Sequence, residues 1–326
     1  MAIIEIKELT KKFNKLAAVD ALNLQIKEGE IFGLLGPNGA GKTTTLLMLT
    51  TLIQSTSGTA TINNYDIHTQ PHNVRKSIGI VFQDPSSDEI LTGYENLKLH
   101  GWLYDMPDII REKRIKEVLD LVDLTNRQND RVKKYSGGMR RRLELARGLM
   151  HHPKVLFLDE PTLGLDPQTR GTIWEYIQKL AREKNITIII TTHYMDEADK
   201  LCDRLAIIDQ GKIVILGSPK KLKKNLGGDI VRLKSTKLNI SKLKKLSYVK
   251  KISSCNDEIC LTIENANKHL QELLNFVGKV DSVEIHSPTL DDVFLHYTGR
   301  KIRESAPEGS WADKAMHANI QGGTKR

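Results

Sequence analysis

A glycine-rich loop between a predicted strand and a predicted helix is the feature that most limits which fold this sequence can adopt. The apolar run 31–35 is followed by the segment 36–43 (GPNGAGKT), and residues 44–50 then have the spacing of a buried helix. A nearly bare backbone can wrap phosphate groups, a lysine neutralises their charge, and a helix N-terminus favours an anion. Strand, loop and helix in this order predict a parallel α/β sheet with a nucleotide phosphate site at one edge.

A second apolar run ends in two carboxylates. Residues 155–158 (VLFL) are typical of a central parallel strand, and they bring Asp159 and Glu160 to the strand's C-terminal end. Open α/β sheets bind ligands at that edge. Such a run by itself more often marks a strand that meets a turn. Beside a phosphate loop it indicates phosphate chemistry, so we expect Asp159 to hold Mg²⁺ and Glu160 to polarise an attacking water.

A third segment, 135–139 (YSGGM), opens a predicted helix. A serine and two glycines at a helix N-terminus leave the backbone open to another phosphate group. This segment resembles the signature of the ATP-binding cassette (ABC) ATPases, usually Leu-Ser-Gly-Gly-Gln, although Met139 lacks the amide donors of that glutamine. The resemblance implies an α/β P-loop NTPase fold, with a RecA-like core, an antiparallel β subdomain and a helical subdomain. It also implies that two copies enclose two ATP molecules.

The same resemblance assigns roles to single residues. It implies catalytic roles for Lys42, Gln83, Glu160 and His193, of which Gln83 senses Mg²⁺ and water and His193 contacts the γ-phosphate. Without the resemblance, a glutamine or histidine at a strand end is an ordinary polar turn residue.

Further positions are implied to contact ATP or its metal. Phe13 corresponds to an aromatic that stacks on adenine, although a phenylalanine is often simply buried. The implied magnesium ligands are Thr43, Gln83 and Asp159. The implied nucleotide contacts are Phe13, Gly36, Pro37, Asn38, Gly39, Ala40, Gly41, Lys42, Thr43, Thr44, Ser136, Gly137, Gly138 and Asp166, the last in a loop that crosses the dimer seam.

Length and composition indicate more than one domain and no bilayer span. The chain has 326 residues, and its three cysteines form no metal pattern with histidines. Its start alternates like a strand and lacks an apolar h-region, and no apolar stretch approaches ~18 residues. We therefore expect reduced thiols in the cytoplasm, and a membrane pathway, if there is one, on another polypeptide.

The chain divides by character near a pair of glycines at 227–228. We expect an ABC domain at 1–226 with a helical subdomain at about 86–150, a small α+β domain at 227–300, and a disordered tail at 301–326. The small domain reads as β-α-β-β-α-β, the ferredoxin-like order. Its predicted strands are 229–235, 248–254, 258–264 and 280–286, and its predicted helices are 240–246 and 267–277, with a last helix at 290–295.

Short motifs in the C-terminal part of the sequence point to one subfamily of these ATPases. Residues 217–222 (GSPKKL), 288–295 (PTLDDVFL) and 298–300 (TGR) resemble daunorubicin-resistance-type ATPases. These are the nucleotide-binding subunits of type-2 exporters in bacteria and archaea. The resemblance implies a homodimer on the cytoplasmic face of the membrane, with ATP and Mg²⁺ as cofactors. A separate permease would dock near residues 83–95, with drugs or other hydrophobic compounds as candidate cargo.

Two alternatives stay open. Residues 212–251 contain thirteen Lys or Arg and one acid, which would suit a soluble ABC ATPase acting on ribosomes or nucleic acid. We expect no nucleic-acid partner, because the block has only one aromatic residue for stacking and the chain has one phosphate loop. The interval between Lys42 and Ser136 is also too short for the coiled coil of DNA-repair relatives. A regulatory ABC ATPase that drives no transport has no distinguishing sequence feature.

Overall fold

The computed structural model describes residues 1–14, 16–234, 243, 246–255, 258–264, 266–277 and 280–299. They fall into two compact units, of which the first ends at Leu216 and the second begins at Gly217. The predicted disordered tail at 301–326 lies outside these residues. Within the described ranges, no helix has the length and apolar character needed to cross a bilayer.

The first unit contains ten strands and seven helices among its described residues. The strands are β1 (Ala2–Phe13), β2 (Leu16–Lys27), β3 (Ile31–Leu35), β4 (Ser57–Ile62), β5 (Tyr65–Asp66), β6 (Ile78–Val81), β7 (Val155–Asp159), β8 (Thr187–Thr192), β9 (Arg204–Asp209) and β10 (Lys212–Gly217). The helices are α1 (Lys42–Leu49), α2 (Pro71–Ser77), α3 (Gly93–Leu103), α4 (Asp108–Leu121), α5 (Gly137–Leu149), α6 (Pro167–Lys184) and α7 (Met195–Leu201).

A six-stranded sheet carries the ends of the predicted motifs. Its order is β10-β9-β3-β8-β7-β6, and β3, β7 and β8 are buried at every residue. β3 pairs in parallel with β8 and β9, and β7 pairs in parallel with β6 and β8. Continuous apolar runs are expected for strands covered on both faces. The parallel pairing brings the carboxyl ends of β3, β6, β7 and β8 to one edge.

A second sheet, with order β2-β1-β4-β5, is antiparallel in all its pairings. Its apolar residues, such as the cross-strand pair Ile4 and Ile26, share one core with β3, β7 and α1. The predicted α/β class with an antiparallel β subdomain is confirmed. Ala18 of β2 lies against the phosphate loop, since a Cβ built on Gly41 would meet the Ala18 carbonyl oxygen at 2.4 Å.

Helices α3, α4 and α5 form the helical part of the unit. α3 begins with a capping box, in which Thr92 and Glu95 satisfy each other's backbone N–H groups. α4 buries Ile115, Val118 and Leu119. The guanidinium of Arg114 donates to the Leu149 carbonyl at 2.7 Å, which joins α4 to the last turn of α5. A basic group near a helix C-terminus also opposes the negative end of its dipole.

The second unit is built on a four-stranded antiparallel sheet. Its described elements are α8 (Pro219–Lys224), β11 (Asp229–Lys234), β12 (Val249–Cys255), β13 (Glu258–Ile263), α9 (Ala266–Val277), β14 (Ser282–His286) and α10 (Leu290–Thr298). The strand order is β12-β13-β11-β14, with antiparallel pairing throughout. This is the ferredoxin-like arrangement that the sequence predicts. The predicted helix at 240–246 lies largely outside the described residues.

Candidate functional site

The phosphate loop joins β3 to α1 at the carboxyl edge of the six-stranded sheet. Gly41 is the N-cap of α1 and has φ 103°, a conformation that side chains with a Cβ rarely adopt. Any other residue there would also collide with the Ala18 carbonyl oxygen. The glycine therefore allows α1 to begin directly at Lys42, with its first N–H groups facing the loop.

Lys42 is buried and folds back across this loop. Its Nζ donates to the carbonyls of Gly36 at 2.8 Å and Pro37 at 3.1 Å, and it lies 3.5 Å from Glu160 Oε1. The side chains of Lys42 and Glu160 are only 5% and 9% exposed. A buried ammonium group needs such partners, because an unpaired charge in this position is costly.

Asp159, the last residue of β7, lies against the start of α1. Its Oδ1 accepts from the Thr191 hydroxyl at 2.5 Å and from the Thr43 hydroxyl at 3.3 Å. Burial and the neighbouring charge of Glu160 raise the pKa of Asp159, although the hydrogen bond from Thr191 opposes this. Oxygen atoms from the phosphate loop, β7 and β8 thus converge on one point.

Glu160 is positioned by an unusual backbone conformation. Its φ is 45°, in the left-handed region, and its N–H donates to the carbonyl of Thr191 at 3.1 Å. Non-glycine residues in this region are uncommon and are often found at functional sites. The conformation turns the carboxylate of Glu160 toward Lys42 instead of letting it continue along the strand.

The Glu160 carboxylate lies between two basic side chains. His193 Nδ1 is 3.1 Å from Glu160 Oε2, although the two atoms are not aligned as a hydrogen bond, and Lys42 approaches the other oxygen. Burial alone raises the pKa of Glu160, but His193 and Lys42 outweigh it and hold the pKa below its usual value. Glu160 is therefore ionised at neutral pH, as a general base must be.

Gln83 and Phe13 belong to different sheets. Gln83 follows β6, which is parallel to β7, so it comes off the same carboxyl edge as Asp159. Phe13 ends β1 and is half-buried, with Lys11 Nζ 5.1 Å from its ring centroid. The phenylalanine is therefore not one of the enclosed core residues, which leaves a stacking role available to it.

The segment around Ser136 is more exposed. Ser136 caps α5 by accepting from the Met139 N–H at 3.2 Å, and both Ser136 and Gly137 are exposed to solvent. Gly138 allows a close approach to α6, because a Cβ there would lie 2.5 Å from Thr169 Cγ2. Asp166 caps α6, and its carboxylate accepts from the N–H and hydroxyl of Thr169. The two predicted interface segments therefore pack on each other within one chain.

Sequence reasoning missed the role of Thr191. Its hydroxyl donates to the Asp159 carboxylate and its carbonyl accepts from the Glu160 backbone N–H, so it holds the side chain of Asp159 and the backbone of Glu160. The sequence signal was its position two residues before His193, close to the strand end where parallel neighbours meet.

Comparison with known proteins assigns the chain to a family. A model described as ABC transporter matches residues 19–163, and a model for the C-terminal domain of DrrA1-3-like ATP-binding proteins matches residues 217–298. The phosphate loop, the paired carboxylates and the glycine-rich start of α5 thus define an ABC-type ATPase.

Two curated relatives match nearly the whole chain. The linearmycin resistance ATP-binding protein LnrL of Bacillus subtilis (strain 168) is 36% identical over 313 residues, or 93% of this chain and 100% of that protein. The daunorubicin/doxorubicin resistance ATP-binding protein DrrA of Streptomyces peucetius is 37% identical over 314 residues, or 94% of this chain and 95% of that protein. The chain belongs to this daunorubicin-resistance-type family of ABC transporter ATP-binding proteins.

A solved structure supports the same conclusion. The ATP-binding cassette MJ0796, a dimer in a post-hydrolysis state bound to ADP and Pi, is 30% identical, with a TM-score of 0.60. The match covers 66% of this chain and 98% of that chain. The predicted function, the ATP-hydrolysing subunit of an ABC exporter, is confirmed at the level of that class.

Proposed function

We propose that Glu160 is the general base of ATP hydrolysis in this chain. The observation that carries the proposal is the placement of its carboxylate between Lys42 and His193, at the mouth of the phosphate loop. A carboxylate whose pKa is held low is ionised at neutral pH, and it orients and polarises a water molecule beside a phosphate. His193 would then contact the γ-phosphate and keep the carboxylate in place.

The phosphate loop would bind the rest of the triphosphate. Lys42 Nζ lies 2.8 Å and 3.1 Å from the carbonyls of Gly36 and Pro37, so its ammonium group is held at the loop that would surround the phosphates. On binding, Lys42 exchanges these contacts for phosphate oxygens, and the N–H groups of the loop and of α1 face the same oxygens. Residues 36–44 supply these contacts, and Phe13 supplies the stacking surface for adenine.

The oxygen atoms near Asp159 fit Mg²⁺. The Thr43 hydroxyl and the Asp159 carboxylate lie 3.3 Å apart, and the Gln83 amide comes off the same edge. Hydroxyl, carboxylate and amide oxygens are the donors that Mg²⁺ prefers. We propose Thr43, Gln83 and Asp159 as its holders; when bound, the ion neutralises charge on the phosphates.

Two copies of the chain would complete each ATP site. Ser136, Gly137 and Gly138 open a helix toward solvent, and Asp166 lies beside them. An exposed helix N-terminus with free backbone favours a phosphate from a second molecule. The dimeric relative with ADP and Pi supports this arrangement, in which the γ-phosphate is held by Lys42 of one copy and by Ser136 of the other.

The helical part offers a surface for a separate membrane permease. Apolar side chains at the end of α3 and the start of α4 are exposed, including Trp102 at 54% and Ile109 at 87%. The surface, here termed the α3–α4 surface, comprises Leu99, Trp102, Leu103, Ile109 and Ile110, and the exposed Ile90 precedes α3. Several exposed apolar side chains on neighbouring helices are a common feature of surfaces that contact another protein. Such a partner would hold the chain at the cytoplasmic face of the membrane.

The cargo is proposed from the relatives. LnrL and DrrA are named for resistance to linearmycin and to daunorubicin or doxorubicin. We propose that the permease driven by this chain exports a hydrophobic compound of that general kind.

Purification from native membranes tests the function directly. The chain should copurify with one polytopic membrane protein, and hydrophobic drugs should stimulate ATP hydrolysis by the complex. Glu160→Gln should abolish the stimulation while leaving the complex intact, and Glu183→Gln, an exposed residue on α6, is the matched control. Recovery of the chain without any membrane protein, with unstimulated ATPase activity, would contradict the exporter role.

A further inference from the structure

Helix α5 buries two charged side chains one turn after its exposed start. Arg141 is 5% exposed and Glu144 is 3% exposed, whereas the other buried residues of α5 are apolar or glycine. Buried charges destabilise a fold unless each polar atom finds a partner. Apart from Arg147 of α5 itself, the hydrogen-bond partners of these two side chains lie in the segments that carry Gln83 and Glu160.

The guanidinium of Arg141 donates to three backbone carbonyls. Nη1 bonds to Phe82 at 2.5 Å, Nη2 bonds to Asp159 at 3.1 Å, and Nε bonds to Pro161 at 2.6 Å. Phe82 directly precedes Gln83, and Asp159 and Pro161 stand on either side of Glu160. One side chain therefore fixes the backbone before the proposed metal and water sensor and around the proposed base.

Glu144 holds the other side of Gln83. Its carboxylate accepts from the N–H of Ser87 at 2.8 Å and from the N–H and hydroxyl of Ser86 at 3.2 and 3.0 Å. The guanidinium of Arg147 balances its charge at 3.0 Å. The segment from Phe82 to Ser87 is thus attached to α5 at both ends.

We propose that Arg141 is a positioning residue that couples the two ATP sites of the dimer. α5 begins at Ser136, which would face the partner copy's nucleotide, and its buried face holds the backbone around Glu160 and Gln83 of its own copy. A displacement of α5 caused by ATP at one site is therefore passed by Arg141 and Glu144 to the catalytic groups of the other. This inference rests on the proposed homodimer.

The chemistry of the contact requires arginine. A planar guanidinium presents donors in several fixed directions, whereas a lysine presents one nitrogen atom and a glutamine one amide group. Burial, which Glu144 and Asp159 partly oppose, lowers the pKa of Arg141 to about 10, so the group stays charged at neutral pH. Arg141→Lys keeps the charge but loses the three-way connection.

Steady-state kinetics on the full chain test the coupling. For Arg141→Lys we expect kcat to fall roughly 10-fold or more, because small misplacement of catalytic groups is costly. ATP affinity should stay within about threefold of the unmodified chain, since Arg141 does not reach the phosphate loop carbonyls. The Hill coefficient for ATP should fall from above one toward one. Arg182→Lys, on the exposed end of α6, is the control.

The outcomes separate the possibilities. Unchanged kcat and Hill coefficient in Arg141→Lys, or a Hill coefficient of one in the unmodified chain, overturns the coupling. If Arg141→Lys does not fold, Glu144→Gln decides, and unmodified behaviour of that variant also overturns it. Dimer formation is measured separately by sedimentation of Glu160→Gln with ATP. A monomer in that experiment refutes the homodimer, whereas a dimer with uncoupled sites refutes only the role of Arg141.

Discussion

The two sides of the ATP site differ in how complete they are within one chain. On the phosphate-loop side, Lys42 and Glu160 are buried and lie 3.5 Å apart, and Lys42 also donates to a loop carbonyl. On the signature side, Ser136 and Gly137 are exposed, and their hydrogen bonding only caps their own helix. The difference is the one expected if, as proposed above, each chain supplies the phosphate-loop half of one site and the signature half of the other.

The strongest test concerns the base on the phosphate-loop side. Glu160→Gln removes a group that orients water, and loss of general base catalysis lowers kcat by roughly 10²- to 10⁴-fold. ATP binding should persist, because Gln keeps the size of the side chain and Lys42 stays in place. Single-turnover hydrolysis and an equilibrium ATP titration measure the two effects. Hydrolysis at the unmodified rate would falsify the assignment.

A smaller effect, on ATP affinity, is expected from replacing Lys42 on the same side of the site. Lys42→Ala removes a charge-assisted hydrogen bond to phosphate, which corresponds to roughly 10- to 100-fold in affinity. An ATP titration measures the loss, with Lys179→Ala on the exposed face of α6 as the control. If both variants bind ATP equally well, Lys42 does not contact the phosphates.

Mixed dimers of two variants test whether Ser136 of one copy completes the ATP site of the other copy. Ser136→Glu places a negative charge where the partner's γ-phosphate should lie, so this variant and Lys42→Ala should each be nearly inactive alone. A mixed dimer has one site in which both halves are intact, so an equal mixture should recover roughly a quarter of the activity if sites are shared by symmetry. Failure to recover any activity, while the mixed dimer forms, argues against shared sites.

The smallest expected effect is the pH dependence of stability caused by two buried histidines near the C-terminal end of α5. His151, two residues after α5, donates its Nε2 to the Ile78 carbonyl at 2.7 Å and stacks on Tyr104 at 3.8 Å. Burial, together with the charge of Arg147, lowers the pKa of His100 to about 3. Burial and the charge of Arg114 lower the pKa of His151 to about 4, although its hydrogen bond to the Ile78 carbonyl opposes this. Both histidines are therefore neutral in the folded protein at neutral pH.

The sign of the pH dependence follows from these values. Below pH ~6.5 the unfolded chain binds protons that the folded chain does not, so stability is complete above that pH and falls as pH decreases toward about 4. The slope is on the order of 1 kcal/mol per histidine for each pH unit. Thermal unfolding of the unmodified chain and of the double variant His100→Gln/His151→Gln should show it. Equal slopes for both proteins would contradict the prediction.

The sequence predicted the residues of the nucleotide site better than it predicted the hydrogen bonds that support them. Gly41, Lys42 and Asp159 lie in short continuous segments, whose strand and helix contexts are readable from local apolar runs. Arg141 and Thr191 form hydrogen bonds with residues that are far away along the chain. No local sequence pattern predicts which carbonyl groups a buried arginine will reach. In the second unit, the strand order followed from the order of elements, whereas the start of β14 is two residues later than predicted, at Ser282.

The left-handed backbone of Glu160 has a consequence for the stability of the folded chain. A glutamate with φ 45° stores on the order of 1 kcal/mol of strain, which glycine or asparagine at the same position would relieve. Replacing the glutamate would relieve that strain, but it would also remove a carboxylate partner of the buried Lys42 ammonium, so the two effects on the free energy of unfolding oppose each other. The site therefore keeps a strained backbone and a buried ion pair together, and a substitution at this position alters both at once.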